Sequence, residues 1–352
     1  MRCPGCGATD ATHVLTKQDQ VSLWRCASCR LVFAGEWAEL VAVNDYRYYA
    51  ARLDWPEGRI HTPVNTVRLE ALLDDLAQLA PSRRLLDVGC GLGELVRVAV
   101  DRGWDARGVE LSEEAVAVCR RFGLPCDTTD FLGPGLDGER FGVITMIELV
   151  EHVAAPGDFL RRAAELLEPG GIVYVTTPNF KALGRRLLGP DWPAVGPEHV
   201  NYFTPATLTD LITTTGALEV VRMRTKNLSP NHVRMFAGKL RHRGRSMQQP
   251  EYAGSPTSAP DYHVRERIEG SRTLQAAKRV VNRVVAATST GETIEAVLRK
   301  ATEPVLQERV LLPEFVPIGR LEHGLRKLVG RLLPIEEGLD DVPVCLIHPI
   351  RP

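Results

Sequence analysis

The chain has 352 residues and a formal net charge of -1, with 43 lysine and arginine residues against 44 aspartate and glutamate residues. This balance excludes a polycationic coat protein for nucleic acid. Hydrophobic residues make up 44% of the chain, which is ordinary for a globular protein. No apolar run reaches the roughly 18 to 20 residues of a membrane-spanning helix. The N-terminus lacks the apolar region of a signal peptide, so we expect a cytoplasmic protein.

Four of the eight cysteines lie at the start of the chain, in two pairs with the spacing C-x-x-C. The pairs are Cys3 with Cys6 and Cys26 with Cys29. Two such pairs at this separation are typical of a four-thiolate zinc site. We predict a zinc ribbon over residues 1–36 with a structural Zn²⁺, since four protein thiolates leave no open position for a substrate. The alternative is a ribbon that also contacts a substrate or partner.

The other four cysteines show no metal-ligand spacing, and we interpret them as small core residues.

The central segment, 63–226, alternates helix-like and strand-like stretches. Arg84 begins an apolar strand that runs into a glycine-rich turn and a helix, and Glu110 ends a second strand. This order predicts a Rossmann-like βαβ unit. The glycines follow G-x-G-x-G rather than the dinucleotide pattern G-x-G-x-x-G, and the preceding Asp87 would repel a pyrophosphate but attract a cationic amine or sulfonium.

These motifs resemble the class I S-adenosylmethionine-dependent methyltransferases. Residues 85–95, LLDVGCGLGEL, are similar to motif I of that family. Segments 141–152 and 167–175 resemble its fourth strand with the following loop and its fifth strand. The resemblance implies S-adenosyl-L-methionine as the cofactor, with Glu110 on the ribose hydroxyls and Asp130 with Phe131 at the adenine. The implied cofactor-binding residues are Asp87, Gly89, Cys90, Gly91, Gly93, Glu110, Leu111, Asp130, Phe131 and Ile147.

Three residues after the fourth strand, Glu148, Glu151 and His152, have the spacing i, i+3, i+4 and would share one face of a helix. This segment is similar to the ubiquinone-pathway O-methyltransferases, whose corresponding residues are associated with a divalent cation. A second divalent cation at these residues would indicate a phenol or catechol-like hydroxyl as acceptor. The alternative, which we favour, is loop structure around the cofactor without a metal. His152 is then a candidate general base.

His199 is the second candidate base, because it lies after the fifth strand, on the rim where ligands bind in such sheets. The alternative is that it fastens its loop. We therefore name Glu151, His152 and His199 as the candidate catalytic residues. Between ribbon and core, residues 37–62 carry several tyrosines and are interpreted as a linker or a lid over the cofactor.

After a sixth strand near 216–225, no further strand follows closely. We predict that the chain builds a linker and helical insertion over 227–341 and returns with a final core strand within 342–352. The predicted fold class is α/β: a Rossmann-like seven-stranded methyltransferase sheet with an N-terminal zinc ribbon and a helical insertion before the last strand. The alternative is a separate helical domain at the C-terminus.

The predicted function is S-adenosylmethionine-dependent methyl transfer, by in-line displacement, to a hydroxyl or carbon of a small molecule of natural-product or sugar type. One alternative is an rRNA or tRNA methyltransferase that binds RNA through the ribbon and the basic segment 239–283, although that segment has few aromatic residues for base stacking. Another is a binding protein that keeps the cofactor fold without catalysis. We expect a small-molecule acceptor, no nucleic acid and no membrane as partners, and leave a homodimer open.

Overall fold

The first three strands of the chain form a small antiparallel sheet: β1 (Ala11–Thr16), β2 (Ser22–Cys26) and β3 (Val32–Ala34). They belong to a computed structural model that describes residues 1–17, 21–35, 60–195, 198–229, 232, 235–236 and 271–301. All of these residues lie in one unit, Met1–Leu312. The predicted linker or lid, 37–62, lies outside the described residues except for 60–62.

Helices and strands alternate from residue 63 onward. The helices are α1 (Pro63–Ala77), α2 (Glu94–Asp101), α3 (Glu113–Arg121), α4 (Pro156–Leu166), α5 (Leu183–Leu188), α6 (Pro205–Thr215) and α7 (Arg272–Ala287). The strands are β4 (Arg84–Val88), β5 (Asp105–Glu110), β6 (Cys126–Thr128), β7 (Phe141–Ile147), β8 (Leu167–Pro178), β9 (Asn201–Tyr202), β10 (Leu218–Lys226) and β11 (Thr293–Lys300).

Capping residues in the sequence explain where several of these helices begin. The hydroxyl of Thr62 accepts a hydrogen bond from the N–H of Asn65 at the start of α1, and Ser112 does the same at the start of α3. Thr204 and Thr207 form a reciprocal capping box at the start of α6. Such side chains satisfy backbone N–H groups that the first helical turn leaves without partners.

A mixed sheet of seven strands forms the core, in the order β10-β11-β8-β7-β4-β5-β6. Strands β4 to β8 pair in parallel, while β11 runs antiparallel to both of its neighbours. The strand order reverses between β4 and β7, and the crevice beyond the carboxyl ends of the strands at such a point is where α/β sheets bind ligands. The predicted α/β fold with a seven-stranded sheet is confirmed.

The strand that closes the sheet differs from the predicted one. Strand β11 lies between β8 and β10, in the place that we expected 342–348 to fill, and residues 342–352 lie outside the described residues. Helix α7 precedes β11, and both lie within the segment 227–341 that the sequence predicts as a linker and helical insertion. The seventh strand of the sheet therefore comes earlier in the chain than residues 342–352.

Glu295 is the charged residue that makes β11 hard to recognise, because it lies in the middle of the strand and is only 2% exposed. Tyr174 on β8 and Arg224 and Lys226 on β10 all donate to its carboxylate. Burial alone would raise the pKa of Glu295, and Lys226 with these hydrogen bonds lowers it to about 2. A buried acid of this kind needs partners from both neighbouring strands.

Strand β9, which lies between α5 and α6 in the chain, joins the small N-terminal sheet. Val32 pairs with Tyr202 and Phe33 with Asn201, so that β1-β2-β3-β9 is one four-stranded sheet. Phe33 also belongs to the apolar cluster that fills the space between the core sheet and helices α4 and α6. Among the described helices, none combines the length and the apolar character needed to cross a membrane.

Candidate functional site

The structure brings the four N-terminal cysteines together, with all four sulfur atoms within 4.8 Å of one another. The sulfur of Cys3 lies 3.5 Å from that of Cys29, and the sulfur of Cys6 lies 3.6 Å from that of Cys26. Zinc–sulfur bonds of about 2.3 Å in a tetrahedron place the sulfurs about 3.8 Å apart. The cluster therefore has the size and the donor set that Zn²⁺ takes.

Two equivalent turns aim these sulfurs. The N–H of Gly7 donates to the carbonyl of Cys3 at 2.8 Å, and the N–H of Arg30 donates to the carbonyl of Cys26 at 3.1 Å. Gly7 and Arg30 both have positive φ, at 73° and 61°. The neighbouring sulfur of Cys3, together with burial, raises the pKa of the Cys29 thiol. A bound cation would favour the thiolate form and so oppose this shift.

The glycine-rich loop after β4 is closely packed. Gly89, Gly91 and Gly93 have φ values of 68°, 52° and 75°, a region that L side chains rarely adopt. A Cβ at Gly89 would lie 2.9 Å from the side chain of Leu149, and one at Gly93 would lie 2.7 Å from that of Leu124. The motif therefore needs glycine both for its backbone conformation and for space.

Asp87 lies at the reversal point of the sheet, where it pairs in register with Thr145 of β7. The hydroxyl of Thr145 donates to its Oδ1 at 2.6 Å. Burial raises the pKa of Asp87 to about 7, although this hydrogen bond opposes the shift. The charged form of a buried carboxyl is stabilised by a nearby ammonium or sulfonium group.

Glu110 ends β5 on the other side of the loop and is 8% exposed. Its carboxylate accepts N–H bonds from Gly91 at 3.0 Å, from Leu111 at 2.7 Å and from Ser112 at 3.1 Å. These bonds tie the glycine-rich loop to the end of β5 and fix the carboxylate at the rim. The geometry suits an acid that accepts hydrogen bonds from a ribose.

The remaining cofactor-binding candidates have different positions. Ile147 ends β7 at the same edge of the sheet, and Leu111 is exposed directly after Glu110. Asp130 is exposed and its Oδ1 accepts from the N–H of Leu132. Phe131 is buried in the main apolar cluster with its ring 5.4 Å from that of Phe159, which makes it a core residue rather than a free aromatic surface.

Cys90 is a buried core residue, as predicted, and it packs against two of the other cysteines. Its sulfur lies within 4.8 Å of those of Cys119 and Cys126, and all three residues are buried. The space for them comes from Gly108 of β5, where a Cβ would lie 2.6 Å from the sulfur of Cys90 and 2.8 Å from that of Cys126. Cys119 donates to the carbonyl of Gly91 at 3.4 Å. The three thiols therefore pack beneath the glycine-rich loop.

The three candidate catalytic residues come together at the same edge of the sheet. Glu151, His152 and His199 each offer a ligand atom within 4.8 Å of the others. Glu151 is fully buried, and neither carboxylate oxygen has a hydrogen-bond partner among the described residues. Burial, with the charge of Glu148, raises the pKa of Glu151 well above its usual range.

The two histidines have the same tautomer. Nδ1 of His152 lies 3.0 Å from the carbonyl oxygen of Glu198, and Nδ1 of His199 lies 2.8 Å from that of Ala194. A carbonyl can only accept, so the hydrogen-bond network assigns the proton to each Nδ1 and leaves each Nε2 with a lone pair. Burial lowers the pKa of both, and for His199 the neighbouring His152 lowers it further. Neutral imidazoles of this kind can accept a proton near pH 7.

The predicted trio Glu148, Glu151 and His152 is corrected in one respect. Residues 148–152 form a bend and a turn instead of a helix, so their spacing does not place them on one helical face. Glu148 has φ 52° and accepts a hydrogen bond from the hydroxyl of Thr176 at 2.9 Å. His199, rather than Glu148, lies beside Glu151 and His152. The sequence could not show this contact, because His199 comes from a different loop.

Comparison with known proteins shows the family of this chain. Residues 64–221 match the family model described as a methyltransferase domain. The ubiquinone biosynthesis O-methyltransferase of Burkholderia multivorans is 30% identical over 175 residues, which are 46% of this chain and 74% of that protein. The chain belongs to the S-adenosylmethionine-dependent methyltransferases.

Other relatives are matched over less of their length. The ubiquinone biosynthesis O-methyltransferase of Bordetella avium is 33% identical over 124 residues, 33% of this chain and 51% of that protein. The corresponding protein of Roseobacter denitrificans is 34% identical over 157 residues, 40% of this chain and 63% of that protein. The chain thus spans between about half and two thirds of several curated relatives.

Solved structures align with this chain at low sequence identity. A SAM-dependent methyltransferase from Archaeoglobus fulgidus is 17% identical with a TM-score of 0.45, and the match covers 73% of this chain and all of that one, 100%. The CcbJ methyltransferase from Streptomyces caelestis is 19% identical with a TM-score of 0.44, over 72% and 96% of the two chains. The strand order described above defines the fold.

Proposed function

We propose that this protein transfers the methyl group of S-adenosylmethionine to a hydroxyl of a small molecule. The observation that carries the proposal is the group Glu151, His152 and His199, which follows β7, the neighbour of the strand that contains Asp87. An acceptor placed there would meet a neutral imidazole nitrogen, which is the group that removes a hydroxyl proton. The curated relatives are named O-methyltransferases, which supports the same class of acceptor.

The cofactor-binding residues support the first half of the reaction. When bound, S-adenosylmethionine supplies an electrophilic methyl carbon on a sulfonium. Asp87 would hold its ammonium group, Glu110 would accept from its ribose hydroxyls, and the tight glycine turn lets backbone approach it. Desolvation favours the transfer, because the positive charge is dispersed as the sulfonium becomes a thioether.

The second half of the reaction needs proton removal from the acceptor. We propose that His199 or His152 is the general base and takes the hydroxyl proton on its Nε2, with the carboxyl group of Glu151 within 4.8 Å of both imidazoles. A divalent cation held by Glu151, His152 and His199 is the competing arrangement, since both carboxylate oxygens of Glu151 lack partners within the described part of the chain. Its donor set differs from the predicted one by the replacement of Glu148 with His199.

The ribbon is proposed to hold one structural Zn²⁺ at its four cysteines, supported by the sulfur distances and the two equivalent turns. The natural-product or sugar type of acceptor, a carbon acceptor, the homodimer and the cytoplasmic location stay predictions. The basic segment 239–283, on which the RNA alternative depends, has only its last part, 271–283, within the described residues.

The experiment that tests the proposal combines cofactor binding with methyl transfer to a panel of phenols, catechols and sugars. We expect S-adenosylhomocysteine to bind by calorimetry, and one acceptor class to be methylated. His199→Gln or His152→Gln should lower kcat by about 10² to 10⁴-fold while cofactor affinity stays within about twofold, the usual range for loss of a general base. His13→Gln is the matched control, because His13 is an exposed histidine of the ribbon.

Three results would overturn parts of this proposal. Absence of S-adenosylhomocysteine binding would remove the methyltransferase assignment of the site. Activity that is abolished by chelation and restored by Mg²⁺, in a protein that keeps its zinc, would replace the general base with a bound cation. Full activity in both histidine variants would dismiss both arrangements.

A further inference from the structure

Three arginines meet where the ribbon contacts the core. Arg25 is on β2, and Arg185 and Arg186 are on α5. Leu23 and Arg25 lie two residues apart on β2 and therefore face the same side of the sheet. Leu23 packs in one apolar cluster with Leu188 of α5, which places α5 against the face that carries Arg25.

Within the described part of the chain, these three arginines have no acid that balances their charge. Among the described residues, no carboxylate forms an ion pair with Arg25, Arg185 or Arg186, and Nε of Arg185 is buried without a hydrogen-bond partner. Glu292, whose carboxylate lies against Gly184 of α5, accepts a hydrogen bond from the indole N–H of Trp192 at 3.1 Å. Its other oxygen lies 3.1 Å from Nδ1 of His232.

The charged form of Arg185 is destabilised by its surroundings. Its guanidinium lies 4.2 Å from the ring centre of Phe180, so one face is covered by an aromatic side chain. Burial lowers the pKa of Arg185, and the charges of Arg25 and Arg186 lower it further. Like charges in a half-buried site repel strongly, and a bound anion would relieve both the repulsion and the missing hydrogen bond at Nε.

The arginines are near the proposed acceptor site. The ring of Phe180 lies 5.5 Å from that of Tyr202, and the ring of Tyr202 lies 6.3 Å from that of His199. Two aromatic rings therefore separate Arg185 from the candidate base. A group bound at the arginines could belong to the same molecule whose hydroxyl reaches His199.

We propose that Arg25, Arg185 and Arg186 bind a phosphoryl group carried by the acceptor. This inference rests on the proposed function and adds the chemical class of the substrate. Guanidinium groups match phosphate oxygens in pairs, and Arg is preferred for such planar recognition. Three positive charges balance the two charges of a phosphoryl group better than the single charge of a carboxylate.

The test is calorimetric titration of the full chain with inorganic pyrophosphate and, separately, with acetate at low ionic strength. We expect pyrophosphate to bind, acetate to bind at least about tenfold more weakly, and Arg185→Gln to weaken pyrophosphate binding at least about tenfold. Arg186→Gln should weaken it too and keeps the test open if Arg185→Gln does not fold, since Arg186 is exposed. The matched control is Arg161→Gln, because the guanidinium of Arg161 is paired with Asp158 on α4.

Equal weakening in Arg161→Gln and Arg186→Gln would show general attraction to a positive surface and overturn the site. Equal binding of acetate would overturn the phosphoryl class. Single-stranded RNA that binds more tightly than pyrophosphate, with a steep salt dependence, would replace a small acceptor by a nucleic acid. S-adenosylhomocysteine is titrated in parallel, so that a failure of the methyltransferase assignment is read separately from a failure of the anion site.

Discussion

The backbone N–H of Asn201 donates to the carbonyl oxygen of Glu151 at 3.0 Å, which joins the strand beside the ribbon to the proposed acceptor site. The side-chain amide of Asn201 extends this contact, donating to the carbonyls of Val150 at 3.2 Å and Val153 at 2.7 Å. On its other side, Asn201 pairs with Phe33 of the ribbon. One residue, 1% exposed, thus holds the segment that carries Glu151 and His152 against the ribbon.

The first prediction concerns this contact. Asn201→Asp keeps the shape of the side chain but directs carboxylate oxygens at two carbonyls, which costs about 1 to 3 kcal/mol per unsatisfied group. We expect the imidazole pKa of His152, measured by NMR titration, to move and the kcat for the acceptor to fall at least about tenfold. Cofactor affinity should stay within about twofold, because the glycine-rich loop is not involved.

Asn179→Asp is the matched control for that variant. Asn179 is equally buried, and its amide donates to the carbonyls of Ser289 and Gly291 at the start of β11. It should lower the melting temperature without moving the titration of His152. If both variants change stability alike and neither moves the titration, Asn201 has a structural role only.

The second prediction is a pH dependence of cofactor binding. Burial raises the pKa of Asp87 to about 7, so the carboxyl is mostly neutral at pH 6 and charged at pH 8. Because the cofactor's ammonium prefers the charged form, affinity for S-adenosylhomocysteine should fall by up to about tenfold per pH unit below pH 7. Asp87→Asn should weaken binding and remove this slope, whereas Asp105→Asn, at the exposed start of β5, should keep it.

The same shift has a consequence for stability without cofactor. The folded state binds a proton at Asp87 more readily than the unfolded state, so the free energy of unfolding should decrease as pH rises from about 4 to about 7. Urea unfolding of Asp87→Asn at several pH values should show a smaller decrease over that window. An unchanged slope would contradict the pKa assigned to Asp87.

The third prediction concerns the space beneath the glycine-rich loop. Gly108→Ala would bring a methyl group to within 3 Å of the sulfurs of Cys90 and Cys126. The loop and the cysteines must shift, and overpacking of this kind costs about 1 to 3 kcal/mol. We expect a lower melting temperature and clearly weaker S-adenosylhomocysteine binding.

Gly157→Ala is the control for this substitution, since its Cβ would meet its nearest neighbours at 3.6 Å, an ordinary contact distance. Its melting temperature and cofactor affinity should stay near those of the unchanged protein. Normal cofactor binding in Gly108→Ala would mean that the three thiols do not support the loop.

The fourth prediction concerns the ribbon. Elemental analysis should find about one zinc per chain, lost in Cys6→Ser and retained in Ser28→Ala, an exposed position in the second turn. Loss of the metal should lower the melting temperature, because a segment this small has little core of its own. Zinc retained in Cys6→Ser at full occupancy would rule out the four-cysteine site.

The fifth prediction concerns the protonation of the histidines. Burial lowers the pKa of His199 and His152, so each should remain neutral below pH 6.5, and kcat measured at saturating cofactor should be kept there. These groups also contribute stability that is lost as pH falls below 6.5, because the unfolded state binds protons first. His199→Gln should flatten this acid limb in urea unfolding, and a limb centred above pH 6.5 would contradict the assignment.

The sequence by itself determined the local chemistry of this protein. Glycine spacing with Asp87 and Glu110 is a short-range pattern, and its strand, turn and helix follow from residues that are neighbours in the chain. The two C-x-x-C turns are equally local. Patterns of this kind are readable because backbone conformation and thiolate spacing are set within a few residues.

Only the tertiary structure decided which distant groups meet. It placed His199 beside Glu151 and His152, gathered Cys90, Cys119 and Cys126, and surrounded Glu295 with partners so that a charged segment became the closing strand. It also joined the ribbon to Asn201. Each of these contacts joins side chains from separate elements in one buried space. The free energy that stabilises such contacts depends on tertiary packing, so no local sequence pattern indicates it.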